Sequence, residues 1–185
     1  YKETYDYRTD VFPAQVLENG TYHIMYNGKY LTNNSPNTAS SKPVFQANQD
    51  NIRPQKQEWK ITVDPSTNRY KIVNLEDNRY LNENGSFTVS NETNPYEAVW
   101  HTYEITLQAN GKYAIQNGGS AGTAFWTVSG TQIQKGNTTA LPDKYIFDII
   151  PLGGTAKEPL IDQEEVYYIM DGNRYLTNTN IKGSG

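Results

Sequence analysis

The chain has 185 residues, a net charge of −4, 36% hydrophobic residues and no cysteine, with a mean hydropathy of −0.77. These values exclude disulfides and a thiolate nucleophile. The interspersed charges leave no basic patch for nucleic acid, and no apolar run approaches the roughly 20 residues that span a bilayer.

The elements read as strands from the start. The 15 tyrosines, together with frequent Thr, Asn and Gly, favour short strands and tight turns over helices. Residues 1–18 lack any repeat and read as a linker or an added strand. From residue 19 a pattern begins. Tyr22-x-Ile24 places two apolar side chains on one strand face, with the residue between them pointing away. The turn "NG" follows, then Tyr30-Leu31, a short strand at 43–48, and a closing strand with Trp59 and Ile61. The second unit repeats this with Tyr70/Ile72, Tyr80-Leu81, a strand at 86–91 and a closer with Tyr103/Ile105. The third has Tyr113/Ile115, Phe125-Trp126, a strand at 131–136 and a closer with Phe147/Ile149. The closers are spaced 44 residues apart, from 59 to 103 to 147. A single unit cannot bury its own apolar face, so three units are expected to share one core.

Residues 151–165 have the Gly, Pro and acidic content of a linker. Beyond it, residues 167–178, "YYIMDGNRYLTN", align without a gap to residues 22–33, "YHIMYNGKYLTN". Tyr, Ile, Met, Tyr, Leu, Thr and Asn coincide, and Arg174 faces Lys29. The end of the chain therefore reads as the first hairpin of a fourth unit, the start of a second array or a hairpin appended to the first.

The segments "GTYHI", "NGKYL" and "QEW" in this order resemble the ricin-B-type β-trefoil, with Gln57-Glu58-Trp59 matching its Q-x-W signature. The other two closers carry His101 and Tyr145 at the Gln position. The resemblance implies an all-β fold: a β-trefoil of three four-strand repeats over 19–152, a linker at 153–166, and a C-terminal hairpin segment over 167–185. It also implies a lectin-like function. In that family an Asp follows the second-strand Leu and accepts the vicinal hydroxyls of a sugar. Here the residues in that place are Thr32, Asn82, Thr127 and Thr177.

No feature points to catalysis. The chain has two histidines, and His23 alternates outward between Tyr22 and Ile24, a solvent-facing place. His101 suits a structural role at the Gln position. Gly118–Gly122 lies between two predicted strands and reads as a hairpin loop, and the acid pairs Glu76/Asp77 and Glu164/Glu165 fall in turns or linkers. Trp59 and Trp126 are expected in the core, with Phe125 facing out beside Trp126. Sugar recognition needs aromatic platforms and short polar side chains. The candidate ligand-binding set is Tyr26, Asn33, Asn82, Asn84, Tyr96 and Trp100. The expected function is a non-catalytic carbohydrate-binding module of a larger secreted or surface protein, without metal, cofactor, nucleic acid or membrane insertion. A trefoil proteinase inhibitor using loops 33–42 or 91–97, or a protein-interaction trefoil with no sugar ligand, are the alternatives.

Overall fold

The computed structural model describes residues 11–12, 17–36, 38, 41–65, 67–81, 101–117, 125–136, 143–153, 170–171 and 174–175. Their strands are β1 (Val11–Phe12), β2 (Gly20–Tyr26), β3 (Lys29–Thr32), β4 (Val44–Gln46), β5 (Trp59–Asp64), β6 (Arg69–Asn74) and β7 (Thr102–Gln108). They continue with β8 (Tyr113–Asn117), β9 (Trp126–Ser129), β10 (Gln132–Lys135), β11 (Phe147–Pro151), β12 (Met170–Asp171) and β13 (Arg174–Tyr175). The helical content of the described residues is one 3-10 turn, Pro54–Gln57.

Six strands form a closed ring. Following the hydrogen bonds, β2 pairs with β5, then β6, β7, β8 and β11 in turn, and β11 returns to β2. A closed sheet has no unpaired edge to expose. Outside the ring, β3 and β4 extend from β2, and β10 and β9 follow on β4. β1 pairs antiparallel with the end of β7, Val11 with Gln108 and Phe12 with Leu107.

The aromatic-x-Ile pattern becomes two layers inside this ring. Tyr22 sits opposite Trp59, Tyr70 opposite Tyr103, and Tyr113 opposite Phe147. Between those pairs, Ile61 faces Ile72, Ile105 faces Ile115, and Ile24 faces Ile149. All twelve side chains are buried. Aromatic pairs and isoleucine pairs thus alternate around the barrel, and each ring strand contributes one of each. Full burial of a side chain this size is worth about 1.5–3 kcal/mol, so this layer is the main source of stability.

The outer hairpins roof the barrel. Leu31, Leu81 and Trp126 are all fully buried beneath them. The Trp59 indole N–H donates to the Leu31 carbonyl at 2.9 Å, and the Tyr103 hydroxyl donates to the Leu81 carbonyl at 2.7 Å. In the first two units the closing aromatic therefore bonds the second strand; Phe147 has no group to do so. The β2–β3 turn has Asn27 at φ 47° and Gly28 at φ 73°, the pair of positive angles that a two-residue Asn-Gly hairpin turn requires.

At the opposite end, the Tyr22 hydroxyl donates to the Glu18 carbonyl at 2.7 Å, and the Tyr70 hydroxyl meets the Leu17 backbone. Burial first, and then the nearby Tyr22, Tyr70 and Asp148, push the Tyr113 hydroxyl up to about 12. Burial, followed by the Glu18 charge, also raises Tyr22.

Four strands are visible in the first unit (β2–β5) and in the third (β8–β11). In the second, Val73 bridges to Tyr80, while the expected strand at 86–91 lies outside the described residues. β12 and β13 pair antiparallel, Met170 with Tyr175 and Asp171 with Arg174.

Two expectations are corrected. His23 is buried, not solvent-facing. The outer face of β2 is covered: His23 Nδ1 lies 3.0 Å from the Gln57 carbonyl, and the Tyr30 ring meets the imidazole edge-on at 5.2 Å. Phe125 is buried alongside Trp126. Phe125 stands at a bridge to Gln116 just before β9, and the Lys144 ammonium covers its ring at 4.4 Å.

Candidate functional site

The position after Leu31 decides whether a sugar can bind the first unit in the manner the resemblance implies. Thr32 is fully buried. Its hydroxyl donates to the Tyr30 carbonyl at 2.9 Å and accepts from the Gln57 amide at 3.0 Å. Gln57 also donates to the Asn48 carbonyl at 3.0 Å and accepts from the Asp50 N–H at 2.8 Å. The Gln of Q-E-W is therefore a strut that fastens the 48–50 loop, and the place of the family's carboxylate is closed by a hydroxyl–amide bond.

Asn33 is likewise internal. Its amide donates to Asn74 Oδ1 at 3.0 Å and Asp77 Oδ2 at 3.1 Å, and its oxygen accepts from the Ser35 N–H. Asn74, fully buried, donates to the carbonyls of Gln55, Lys56 and Glu58 at 3.2–3.3 Å. Asp77 accepts from Arg79 Nε at 2.6 Å, and Arg79 reaches on to the carbonyls of Ser35 and Thr38. The side chains of this ion pair are 9% and 1% exposed. This network joins the first unit's loop to the second unit's turn, where Asn78 takes φ 55°.

The surface above is polar and pinned. Asp50 Oδ1 accepts from the N–H groups of Ile52 and Arg53, at 3.0 and 2.8 Å. The Arg53 N–H is the main cause holding the Asp50 carboxyl below its ordinary range, with the Ile52 N–H and the Lys56 charge adding to it against a partial desolvation cost. Ile52, held by that loop, is 92% exposed. Tyr26 ends β2, where it is half-buried against Phe45 and Phe147 at ring distances of 5.7 and 6.3 Å, so it is a strand residue packed on the core aromatics. Of the candidate set, Tyr26 and Asn33 are placed; Asn82, Asn84, Tyr96 and Trp100 lie outside the described residues. His101 stacks on Tyr80 at 5.8 Å and 10°, a structural arrangement. No group of three metal-ligating side chains occurs among the described residues.

A groove of about 250 Å³ is lined by Thr67, Asn68, Tyr70, Glu104, Ile105 and Thr106. Arg69 Nη2 bonds Glu104 Oε1 at 3.2 Å beside it. Neither residue stands out in the sequence, because each is the outward neighbour of a core tyrosine and their meeting depends on the Tyr70–Tyr103 register. Asn74, by contrast, had a signal: it is in phase with Tyr70 and Ile72, so it is a polar residue aimed inward.

A closed six-strand ring with outer hairpins, filled by aromatic and isoleucine pairs, defines a β-trefoil. Residues 11–96 match the sequence family described as Ricin-type beta-trefoil lectin domain-like. Comparison with curated protein sequences gives no match. Among solved structures, a mosquitocidal holotoxin is similar at 18% identity and TM-score 0.58, over 72% of this chain and 17% of that one. A Polyporus squamosus lectin, solved bound to a human-type influenza-binding epitope, is similar at 16% identity and TM-score 0.53, over 75% of this chain and 51% of that one. The Haemophilus ducreyi cytolethal distending toxin is similar at 12% identity and TM-score 0.52, over 84% and 95%. At these identities the likeness is one of fold. The chain spans about half of the lectin's length and a small part of the holotoxin's.

Proposed function

We propose that this chain is a non-catalytic carbohydrate-binding module of a larger secreted or surface protein. The observation that carries the reading is the ricin-type lectin-like match over residues 11–96. The sialyl-glycan complex of the Polyporus lectin supports sugar as the ligand class, and the likeness to a small part of a holotoxin supports a module within a longer chain. We also propose that residues 167–185 begin a second trefoil. The support is that Met170–Tyr175 repeats the register of Met25–Tyr30, the residues 145 positions earlier. Tandem trefoils suit weak sugar sites, because linked sites gain by avidity. In this reading Asn82, Asn84, Tyr96 and Trp100 supply the sugar-binding side chains of the second unit and Tyr26 contributes in the first, whereas Asn33, expected in the set, is fully buried and spent on the network that joins the units.

A glycan array on the folded chain, with Trp100→Ala alongside, tests the function. Selective binding that falls in the variant supports a lectin with its site in the second unit. A blank array refutes sugar recognition. The sealed Thr32 position favours a second reading, a trefoil that binds protein, and a blank array with stoichiometric capture of a defined protein partner would support it.

A further inference from the structure

We infer that Asn27, at the tip of the β2–β3 hairpin, is a modification site: without any enzyme it converts to aspartate and isoaspartate through a succinimide formed with Gly28. This goes beyond the carbohydrate-binding reading and does not depend on it.

The chemistry needs an Asn followed by an unhindered backbone nitrogen. That nitrogen loses its proton and attacks the side-chain Cγ. The N–Cγ bond forms, the Cγ–Nδ2 bond breaks, and ammonia leaves with the proton. Water then opens the cyclic imide. Addition at Cγ gives aspartate. Addition at the main-chain carbonyl carbon gives isoaspartate, with the backbone rerouted through Cβ and Cγ. Glycine suits the following position because it has no Cβ to obstruct the attack. The chain holds five Asn-Gly pairs, beginning at Asn19, Asn27, Asn84, Asn110 and Asn117. Asn84, Gly85 and Gly118 lie outside the described residues, so the comparison runs between Asn19, Asn27 and Asn110.

The three pairs differ in what already occupies the reacting groups. The Asn19 oxygen accepts from the Val63 N–H at 2.7 Å, and a Cβ placed on Gly20 would stand 3.3 Å from the Tyr22 ring. The Asn110 oxygen accepts from the Lys112 N–H at 2.9 Å. The nitrogen that would attack it belongs to buried Gly111 and donates to the Gln108 carbonyl at 2.9 Å. Asn27 and Gly28 are both exposed. Among the described residues, neither the Asn27 amide nor the Gly28 N–H has a hydrogen-bond partner. Nothing lies within 4 Å of where a Gly28 Cβ would stand. The hairpin closes through the Tyr26–Lys29 pair, on either side of the two reacting residues. A group held in a hydrogen bond must give it up before it reacts, which slows the reaction about tenfold per bond. Asn27 has no such bond to break and room to rotate toward the nitrogen. Either product puts a negative charge next to Tyr26, on a chain whose net charge is −4. Isoaspartate also lengthens a two-residue turn by one backbone carbon.

The test ages the full chain in mildly alkaline buffer made with heavy-oxygen water, both folded and in concentrated urea. Digested samples are mapped over time by mass spectrometry with fragmentation, after chromatography has separated aspartyl from isoaspartyl peptides. In the folded chain, Asn27 is expected to convert at least about tenfold faster than Asn19 or Asn110, with heavy oxygen at residue 27 and isoaspartate among the products. In urea, where all three pairs are released, the rates should converge. Folded-state conversion at Asn27 no faster than at Asn19 or Asn110 overturns the assignment. An ordering that persists in urea overturns its structural cause. Aspartate as the sole product at residue 27 overturns the succinimide route, since direct hydrolysis would then account for it. Asn27→Gln, whose longer side chain closes the ring far more slowly, should suppress the conversion with circular dichroism unchanged; conversion at residue 27 that continues at the wild-type rate overturns the mechanism.

Discussion

Asn74→Ala tests whether the two units are joined by the buried amide. The side chain donates to three carbonyls and accepts from the Asn33 amide and the Glu76 N–H. Its loss does not orphan every partner. Lys56 O still accepts from the Asn33 N–H, Glu58 O from the Leu75 N–H, and Gln55 O from the Glu58 N–H, while the Asn33 amide retains Asp77. The principal losses are the second acceptor of Asn33 and the acceptor for the Glu76 N–H, plus a small cavity. At about 1–3 kcal/mol per buried group left wanting, the expected cost is about 3 kcal/mol. For a chain of this length that is a fall in Tm of about 6–12 °C. Asn74→Asp should be worse, because a carboxylate would replace the donor and face the same carbonyls. Thermal unfolding by circular dichroism reads both. A shift under about 2 °C for Ala, or an Asp variant no less stable than Ala, would refute the structural role given to this amide.

Three further outcomes follow from the same geometry. Arg79→Met leaves Asp77 buried without its cation and should cost about 3–5 kcal/mol, with faster proteolysis near Ser35 and Thr38; equal protease resistance would count against the clamp. Tyr103→Phe removes the bond to the Leu81 carbonyl and should cost about 1 kcal/mol in urea unfolding; an unchanged midpoint would count against that bond. The chain should also lose stability in alkali. Tyr113 keeps its proton to about 12 in the folded state but releases it near 10 when unfolded. Its contribution is therefore complete below pH 10 and is lost as the pH rises from 10 to 12, by at most about 1.4 kcal/mol per pH unit. Tyr113→Phe should flatten that slope, and an unchanged slope would reject Tyr113 as its source.

Much of the barrel was legible because a strand has a strict period of two. Tyr22/Ile24, Tyr70/Ile72 and Tyr113/Ile115, and the closers at Trp59, Tyr103 and Phe147, were placed in the core from spacing alone, and all are buried. The "NG" turn was legible because few residues other than Asn and Gly tolerate both positive φ angles. The same rule misplaced His23. Alternation says which way a side chain points, and not whether a second layer lies over that face. Here the 3-10 turn ending at Gln57 and the Tyr30 ring supply that layer. Phe125 escaped the rule for a related reason, since it precedes the regular part of β9.

The sequence by itself determined the repeat: aromatic-x-Ile on each ring strand, a turn, and a closer every 44 residues. It did so because local backbone geometry and apolar burial act on neighbouring residues and leave a period in the chain. Only the tertiary structure decided what the polar residues do. Asn33 meets Asn74 across 41 positions, Gln57 meets Thr32 across 25, and Arg69 meets Glu104 across 35. No period records such meetings, because they depend on which strands become neighbours when the ring closes. A buried amide that holds two units together and an exposed one that could read a sugar are the same letter in the sequence, and closure of the barrel is what separates them.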